Sequence, residues 1–166
     1  MGSAVDILII DDSPEDGYVF QEALGEACPD VSMRWLGSGE EAIAFLRHGQ
    51  EVLNTCPVKL VVLDMNMPGL NGVQTLRQIR GSSGVSCVPV AILSTSRAKS
   101  DVERAYHFGA NVFLKKPISF QGYLEQVQIL VQHWLRLAEL PYAPSQAAQP
   151  EPPIGSLKKK LAPFPG

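Results

Sequence analysis

The chain has 166 residues, 45% of them hydrophobic, and a formal net charge of −3. That length suits one domain plus a tail, and the apolar fraction is enough for one good core. The mild acidity gives no reason to expect nucleic acid or an anionic membrane surface as a partner, and no apolar run approaches the ~20 residues that cross a bilayer.

The N-terminal stretch lacks a basic region and a cleavage pattern, so it does not read as a signal peptide. Asp6 stands where a myristoylation signal wants Ser or Thr. Ile7–Ile10 is a short apolar run ending in Asp11 and Asp12, which predicts a buried strand. Ser13-Pro14-Glu15-Asp16 then reads as a helix start: Ser13 caps, Pro14 fits the first turn, and two acids favour the positive end of the dipole. Val19, Phe20, Ala23, Leu24 and Ala27 follow at helical spacing, and Gly25 and Pro29 end the helix. Val31, Met33 and Trp35 alternate with polar residues, which predicts a half-buried edge strand. Ser38-Gly39-Glu40-Glu41 is a capping box opening a second helix to about His48, with Gly49 as its stop and residues 50–57 as loop.

Val58–Leu63 predicts a central strand, with Asp64 at its end and Asn66, Met67, Pro68 and Gly69 in the loop beyond. Asn71 can cap a third helix carrying Val73, Leu76 and Ile79. Val88–Leu93 predicts a fourth strand, followed by Ser94-Thr95-Ser96. Ser100-Asp101-Val102-Glu103 reads as another capping box, opening a helix that stops at Gly109. Val112–Leu114 predicts a fifth strand, followed by Lys115-Lys116-Pro117, and Ser119 starts a last helix over Phe120–Leu140. Strands and helices thus alternate, which predicts an α/β fold with a doubly wound five-stranded parallel sheet. Residues 141–166 hold seven of the thirteen prolines and the run Lys158-Lys159-Lys160, and read as a Pro-rich flexible tail after a domain spanning residues 1–140. Cys28, Cys56 and Cys87 lack CxxC spacing and read as reduced thiols of a cytosolic protein; His48, His107 and His133 show no metal-ligand spacing.

Ligands of open parallel sheets bind outside the carboxyl ends of the strands. Those ends carry Asp11 and Asp12, Asp64, Ser94 and Lys116. Three carboxylates brought together cannot all stay ionised without a cation, so either their pKa values rise or a metal binds. With only oxygen donors on offer the implied ion is hard, and Mg²⁺ fits best. A metal, a lysine and a hydroxyl around a carboxylate suit phosphoryl transfer, with the carboxylate as nucleophile. The bland alternative is a set of satisfied carboxylates in a nucleotide- or flavin-binding protein. A phosphatase of the aspartate-nucleophile type would want a carboxylate where Asn66 stands, and a flavin protein a hydroxyl- and glycine-rich loop where Asp11 and Asp12 stand.

Asp11-Asp12, Asp64 with Met67-Pro68-Gly69, Ser94 and Lys116-Pro117 resemble the receiver domain of two-component response regulators, over roughly Val5 to Leu140. The resemblance implies the flavodoxin-like strand order 2-1-3-4-5. It implies that Asp64 is the phosphoacceptor, and that Mg²⁺ is held by Asp12 directly, by Asp11 mostly through water, by Asp64 and by the backbone carbonyl of Asn66. It implies that Ser94 is the switch hydroxyl, that Lys116 pairs with the phosphoryl group before a cis Pro117, and that Phe113 takes the place of the switch aromatic, where Tyr is frequent. Asp11–Asp16, Leu93–Ser96 and the ending from Trp134 to Pro141 resemble more narrowly the stand-alone regulators of phytochrome-type histidine kinases, which are often homodimers. The expectation is therefore a cytoplasmic phosphoacceptor, not an enzyme with a separate substrate, that takes its phosphoryl group from a histidine kinase. It would shift its surface of helix 4, strand 5 and helix 5 in response. The alternative function is a phosphate-insensitive, receiver-like adaptor. Leu130, Val131, Trp134, Leu135 and Leu137 make the last helix apolar beyond one stripe, which predicts a homodimer through the C-terminal part.

Overall fold

The computed structural model describes residues 4–141. The greater part of the proline-rich tail, with Lys158–Lys160, lies outside the described residues. Five strands alternate with five helices: β1 (Val5–Ile10), α1 (Pro14–Ala27), β2 (Met33–Leu36), α2 (Gly39–Leu53), β3 (Val58–Asp64), α3 (Gly72–Arg80), β4 (Val90–Ser94), α4 (Lys99–His107), β5 (Val112–Lys115) and α5 (Phe120–Val131). All neighbouring strands pair in parallel, in the order β2-β1-β3-β4-β5. The doubly wound sheet and its order are those expected.

The sheet's apolar runs are sorted by the two-residue period of a strand. Leu8, Ile10, Val61, Leu63, Val90 and Ile92 face one way and pack with Leu46, Leu76, Ile79 and Ala105 of α2, α3 and α4. Ile7, Ile9, Leu60, Val62, Ala91 and Leu93 face the other way, under Phe20 and Leu24 of α1 and Val127 and Leu130 of α5. Burial on both faces explains why β1, β3 and β4 read as unbroken apolar runs rather than alternating ones. Each fully buried aliphatic side chain contributes about 1.5–3 kcal/mol.

Local signals start most of the helices. Ser13 Oγ accepts the Asp16 N–H in front of Pro14, and Ser38 and Ser119 cap α2 and α5 in the same way. Asn71 and Gln74 form a reciprocal capping box on α3. Arg80, the last residue of α3, spreads its guanidinium over the carbonyls of Ser86, Val88 and Gly109 and the side chain of Asn111. It thereby ties together the loops that lead into β4 and β5.

Four local expectations are corrected. Gly49 does not stop α2, which continues to Leu53 and ends at Asn54 in the left-handed region. A Cβ on Gly49 would lie 2.6 Å from Pro57 Cβ, so the glycine serves a close approach rather than a stop. Helix α4 begins at Lys99 after an Ala98 cap with no side-chain hydrogen bond, so Ser100, assigned as the cap of a capping box, lies inside the first turn, where its neighbour Asp101 accepts the Ser96 hydroxyl at 2.6 Å. The last helix is not continuous to Leu140: α5 ends at Val131 and passes into a π-helical stretch, Gln132–Leu137. Leu130 and Val131 are buried in the chain's own core, and Trp134 and Leu135 pack against it, so of the five residues assigned to an apolar contact stripe only Leu137 is exposed. Finally, the Lys116–Pro117 bond is trans: the described residues contain no cis peptide bond, in keeping with the general preference of X–Pro bonds.

Candidate functional site

The crevice lies where β1, β3, β4 and β5 end. Asp11 follows β1, Asp64 closes β3, Ser94 closes β4 and Lys116 follows β5. The sheet register sets their levels: Ile10 pairs with Leu63, Asp64 with Leu93, and Ser94 with Lys115. Four of the residues assigned from sequence are nearly sealed from solvent, with exposures of 5% for Asp11, 6% for Asp64, 0% for Ser94 and 8% for Lys116. Asp12 and Asn66 are exposed at the mouth. Thr95, next to Ser94, is also exposed, so the buried hydroxyl at the strand end belongs to Ser94.

One carboxylate oxygen each from Asp11, Asp12 and Asp64 comes within 4.8 Å of the others. The Lys116 ammonium lies 2.7 Å from Asp11 and 3.5 Å from Asp64. Burial pushes the Asp64 carboxyl up from 3.8 to about 6; the charges of Asp11 and Asp12 add to the rise, and Lys116 opposes it. Burial likewise raises Asp11 against the pull of Lys116. Burial works against the charge of Lys116, but its hydrogen bonds to Asp11 and Asp16 and the nearby carboxylate charges outweigh that and raise its pKa. One buried cation thus faces several carboxylates, and the surplus negative charge is what a second, divalent cation would neutralise. The donor set is all oxygen, which fits a hard ion such as Mg²⁺ or Mn²⁺ rather than zinc.

Ser94 Oγ accepts the Ser96 N–H at 3.1 Å, and Ser96 Oγ in turn donates to Asp101 in the first turn of α4. A short polar chain therefore joins the crevice to α4. Phe113 stands further down β5, paired with Ile92, half-buried against the α2–α4 side of the core. Its N–H donates to the Tyr106 hydroxyl at 3.1 Å, which brings a phenol on α4 to the strand the aromatic occupies.

Three residues that shape the crevice went unassigned in the sequence. Asp16 accepts from Lys116 Nζ at 2.8 Å; in the sequence it reads only as a helix-dipole acid, because the two residues stand 100 positions apart. Trp35 Nε1–H donates to the Asp11 carbonyl at 2.9 Å, which ties edge strand β2 to the loop after β1. Gly72 opens α3 against the back of Asp64, where an added Cβ would meet the Asp64 carbonyl and lie 2.7 Å from Met65 Cα. A glycine just after an Asn cap was the one available signal.

A model of the response regulator receiver domain matches residues 7–128. The response regulator Rcp1 of Synechocystis is 31% identical over 137 residues, covering 82% of this chain and 93% of the relative. Among solved structures, the phosphorylated cyanobacterial phytochrome response regulator RcpA superposes with a TM-score of 0.74 at 28% identity, over 84% of this chain and 99% of that one. The Mn²⁺-bound form of Rcp1 gives a TM-score of 0.71 at 31% identity, over 82% and 99%.

Proposed function

The chain belongs to the response regulator receiver family, and from that premise we propose that it is a stand-alone phosphoacceptor, charged on Asp64 by a histidine kinase in the cytoplasm. The observation that carries this reading is the convergence of Asp11, Asp12 and Asp64 within 4.8 Å of one another, with the Lys116 ammonium against Asp11 and Asp64. In the proposed transfer an Asp64 carboxylate oxygen attacks the phosphorus of a phosphohistidine. An oxygen–phosphorus bond forms, the phosphorus–nitrogen bond breaks, and the imidazole leaves with the electron pair. Lys116 supplies a positive charge 3.5 Å from the Asp64 carboxylate, where the phosphoryl oxygens would arrive. Ser94 supplies a buried hydroxyl proton to the same group while its oxygen keeps the Ser96 N–H. Asp11, Asp12, Asp64 and the Asn66 backbone carbonyl would hold Mg²⁺, which supplies charge neutralisation for the incoming phosphoryl oxygens.

The arriving dianion would draw Ser94 toward it. Through Ser96 and Asp101 that movement reaches α4, and Phe113 on the neighbouring strand adjusts with it. The surface of α4, β5 and α5 is then the one read by a partner. The similarity to RcpA, a cyanobacterial phytochrome response regulator, supports a phytochrome-type histidine kinase as donor. The protein is read as a signalling module, with no substrate beyond its own phosphoryl group. A homodimer through the C-terminal part would use Ile129 and Leu137, each 67% exposed. Sedimentation of the chain as a monomer at micromolar concentration would remove that part of the proposal.

The deciding experiment is intact mass after incubation with acetyl phosphate and Mg²⁺. One phosphoryl adduct is expected on the wild type, and none without Mg²⁺ or in Asp64→Asn. A wild type that takes no adduct under any condition would overturn the proposal in favour of a phosphate-insensitive adaptor.

A further inference from the structure

Lys116 divides its ammonium between two carboxylates at nearly equal distance. Asp11 takes it at 2.7 Å and Asp16 at 2.8 Å, while Asp64 stands off at 3.5 Å. Asp11 belongs to the acidic cluster, but Asp16 does not: it is the third residue of α1, on a different element, and its side chain is 37% exposed where Lys116 is 9%. Its position fixes what its charge does. It is a counter-charge, at 2.8 Å against 3.5 Å for Asp64, to the very ammonium that the phosphoryl group needs.

We propose that Asp16 is a positioning residue that holds Lys116 back from Asp64 and so balances the crevice between cation and anion. This rests on the reading of Asp64 as phosphoacceptor. An ammonium with three protons satisfies Asp11 and Asp16 and leaves its third donor for Asp64, at a distance too long for a good hydrogen bond. With the charge of Asp16 removed, Lys116 keeps Asp11 but can swing toward Asp64, and more of its positive charge faces the crevice. A dianion on Asp64 gains by that change. A divalent cation at Asp11, Asp12 and Asp64 loses by it, because the ammonium is then less neutralised and nearer. The two ligands must therefore respond in opposite directions. Asp16 also sits at the helix N-terminus, where an acid favours the dipole. That role affects stability alone and would weaken both ligands together or neither.

The test is a pair of titrations followed by backbone amide shifts in nitrogen-15 NMR, on wild type, Asp16→Asn and Asp16→Glu. Mg²⁺ is titrated alone; beryllofluoride, a phosphoryl mimic, is then titrated at saturating Mg²⁺. Asp16→Asn is expected to bind Mg²⁺ about two- to fivefold more weakly and beryllofluoride about two- to fivefold more tightly, the range for a partly exposed ion pair. Asp16→Glu keeps the charge and should restore both values toward wild type. Asp16→Ser, which also removes the charge, must behave as Asp16→Asn does. Equal affinities in all variants, or shifts of the same sign for both ligands, overturn the proposal while leaving the phosphoacceptor reading intact. A wild type that does not bind beryllofluoride at Asp64 overturns both.

Discussion

Replacing Asp64 by Asn removes one ionised carboxylate from a cluster of three and leaves the shape of the side chain unchanged. Without metal, that should make the fold more stable. The carboxyl's rise from 3.8 to about 6 measures how much the crevice disfavours the ionised form. At 1.36 kcal/mol per pH unit the cost is about 3 kcal/mol once the group is fully ionised. Asp64 holds its proton more tightly folded than unfolded, so stability is lost as pH rises through the window from about 4 to about 6. The advantage of Asp64→Asn should therefore be about 1.5 kcal/mol at pH 5 and about 3 kcal/mol at pH 8. Urea unfolding in a chelator at both pH values measures this, and in thermal unfolding the larger figure corresponds to roughly 10 °C. Saturating Mg²⁺ should cancel the difference, because it binds the folded wild type and stabilises it by mass action. If Asp64→Asn is no more stable than wild type at pH 8 in chelator, burial and the neighbouring carboxylates do not hold the Asp64 carboxyl up, and this electrostatic reading of the crevice fails.

Two further outcomes follow from how the crevice is supported. Gly72→Ala places a methyl group against the backbone of Asp64 and Met65, which cannot give way as a flexible side chain would. It should cost about 1–3 kcal/mol and weaken Mg²⁺ binding through the displaced Asp64, and normal values for both would refute the close-packing account. Arg80→Lys keeps the charge but loses the planar fork that spans three carbonyls and Asn111. A loss of about 2–3 kcal/mol in urea is expected, and a loss below about 0.5 kcal/mol would mean the clamp is not structural.

The residues that supply the chemistry are legible in the sequence because each is a polar side chain ending an apolar run. Ile7–Ile10 before Asp11, Val58–Leu63 before Asp64, and Val88–Leu93 before Ser94 announce buried strands, and parallel strands deliver their carboxyl ends to one edge. The caps at Ser13, Ser38, Asn71 and Ser119 are legible for a similar reason: a cap is a contact between residues two or three apart, so local sequence contains both partners. The cap assigned to α4 at Ser100 failed because the helix already begins one residue before it, at Lys99, with Asp101 of its first turn tied to Ser96 in the turn after β4.

What only the tertiary structure decided are the contacts between residues far apart in the chain. Nothing near Asp16 signals that Lys116 will fold onto it, and nothing near Trp35 signals that its indole will hold the Asp11 carbonyl. Gly49 reads as a helix stop until Pro57 is seen to occupy the space of its missing Cβ. The last helix shows the same limit. Its sequence gives an apolar stripe, but whether that stripe faces the chain's own core or solvent depends on how the helix packs against the sheet and α1. The fold buries Leu130 and Val131 and leaves Ile129 and Leu137 outside. Periodicity determines which residues share a face; packing determines what that face meets.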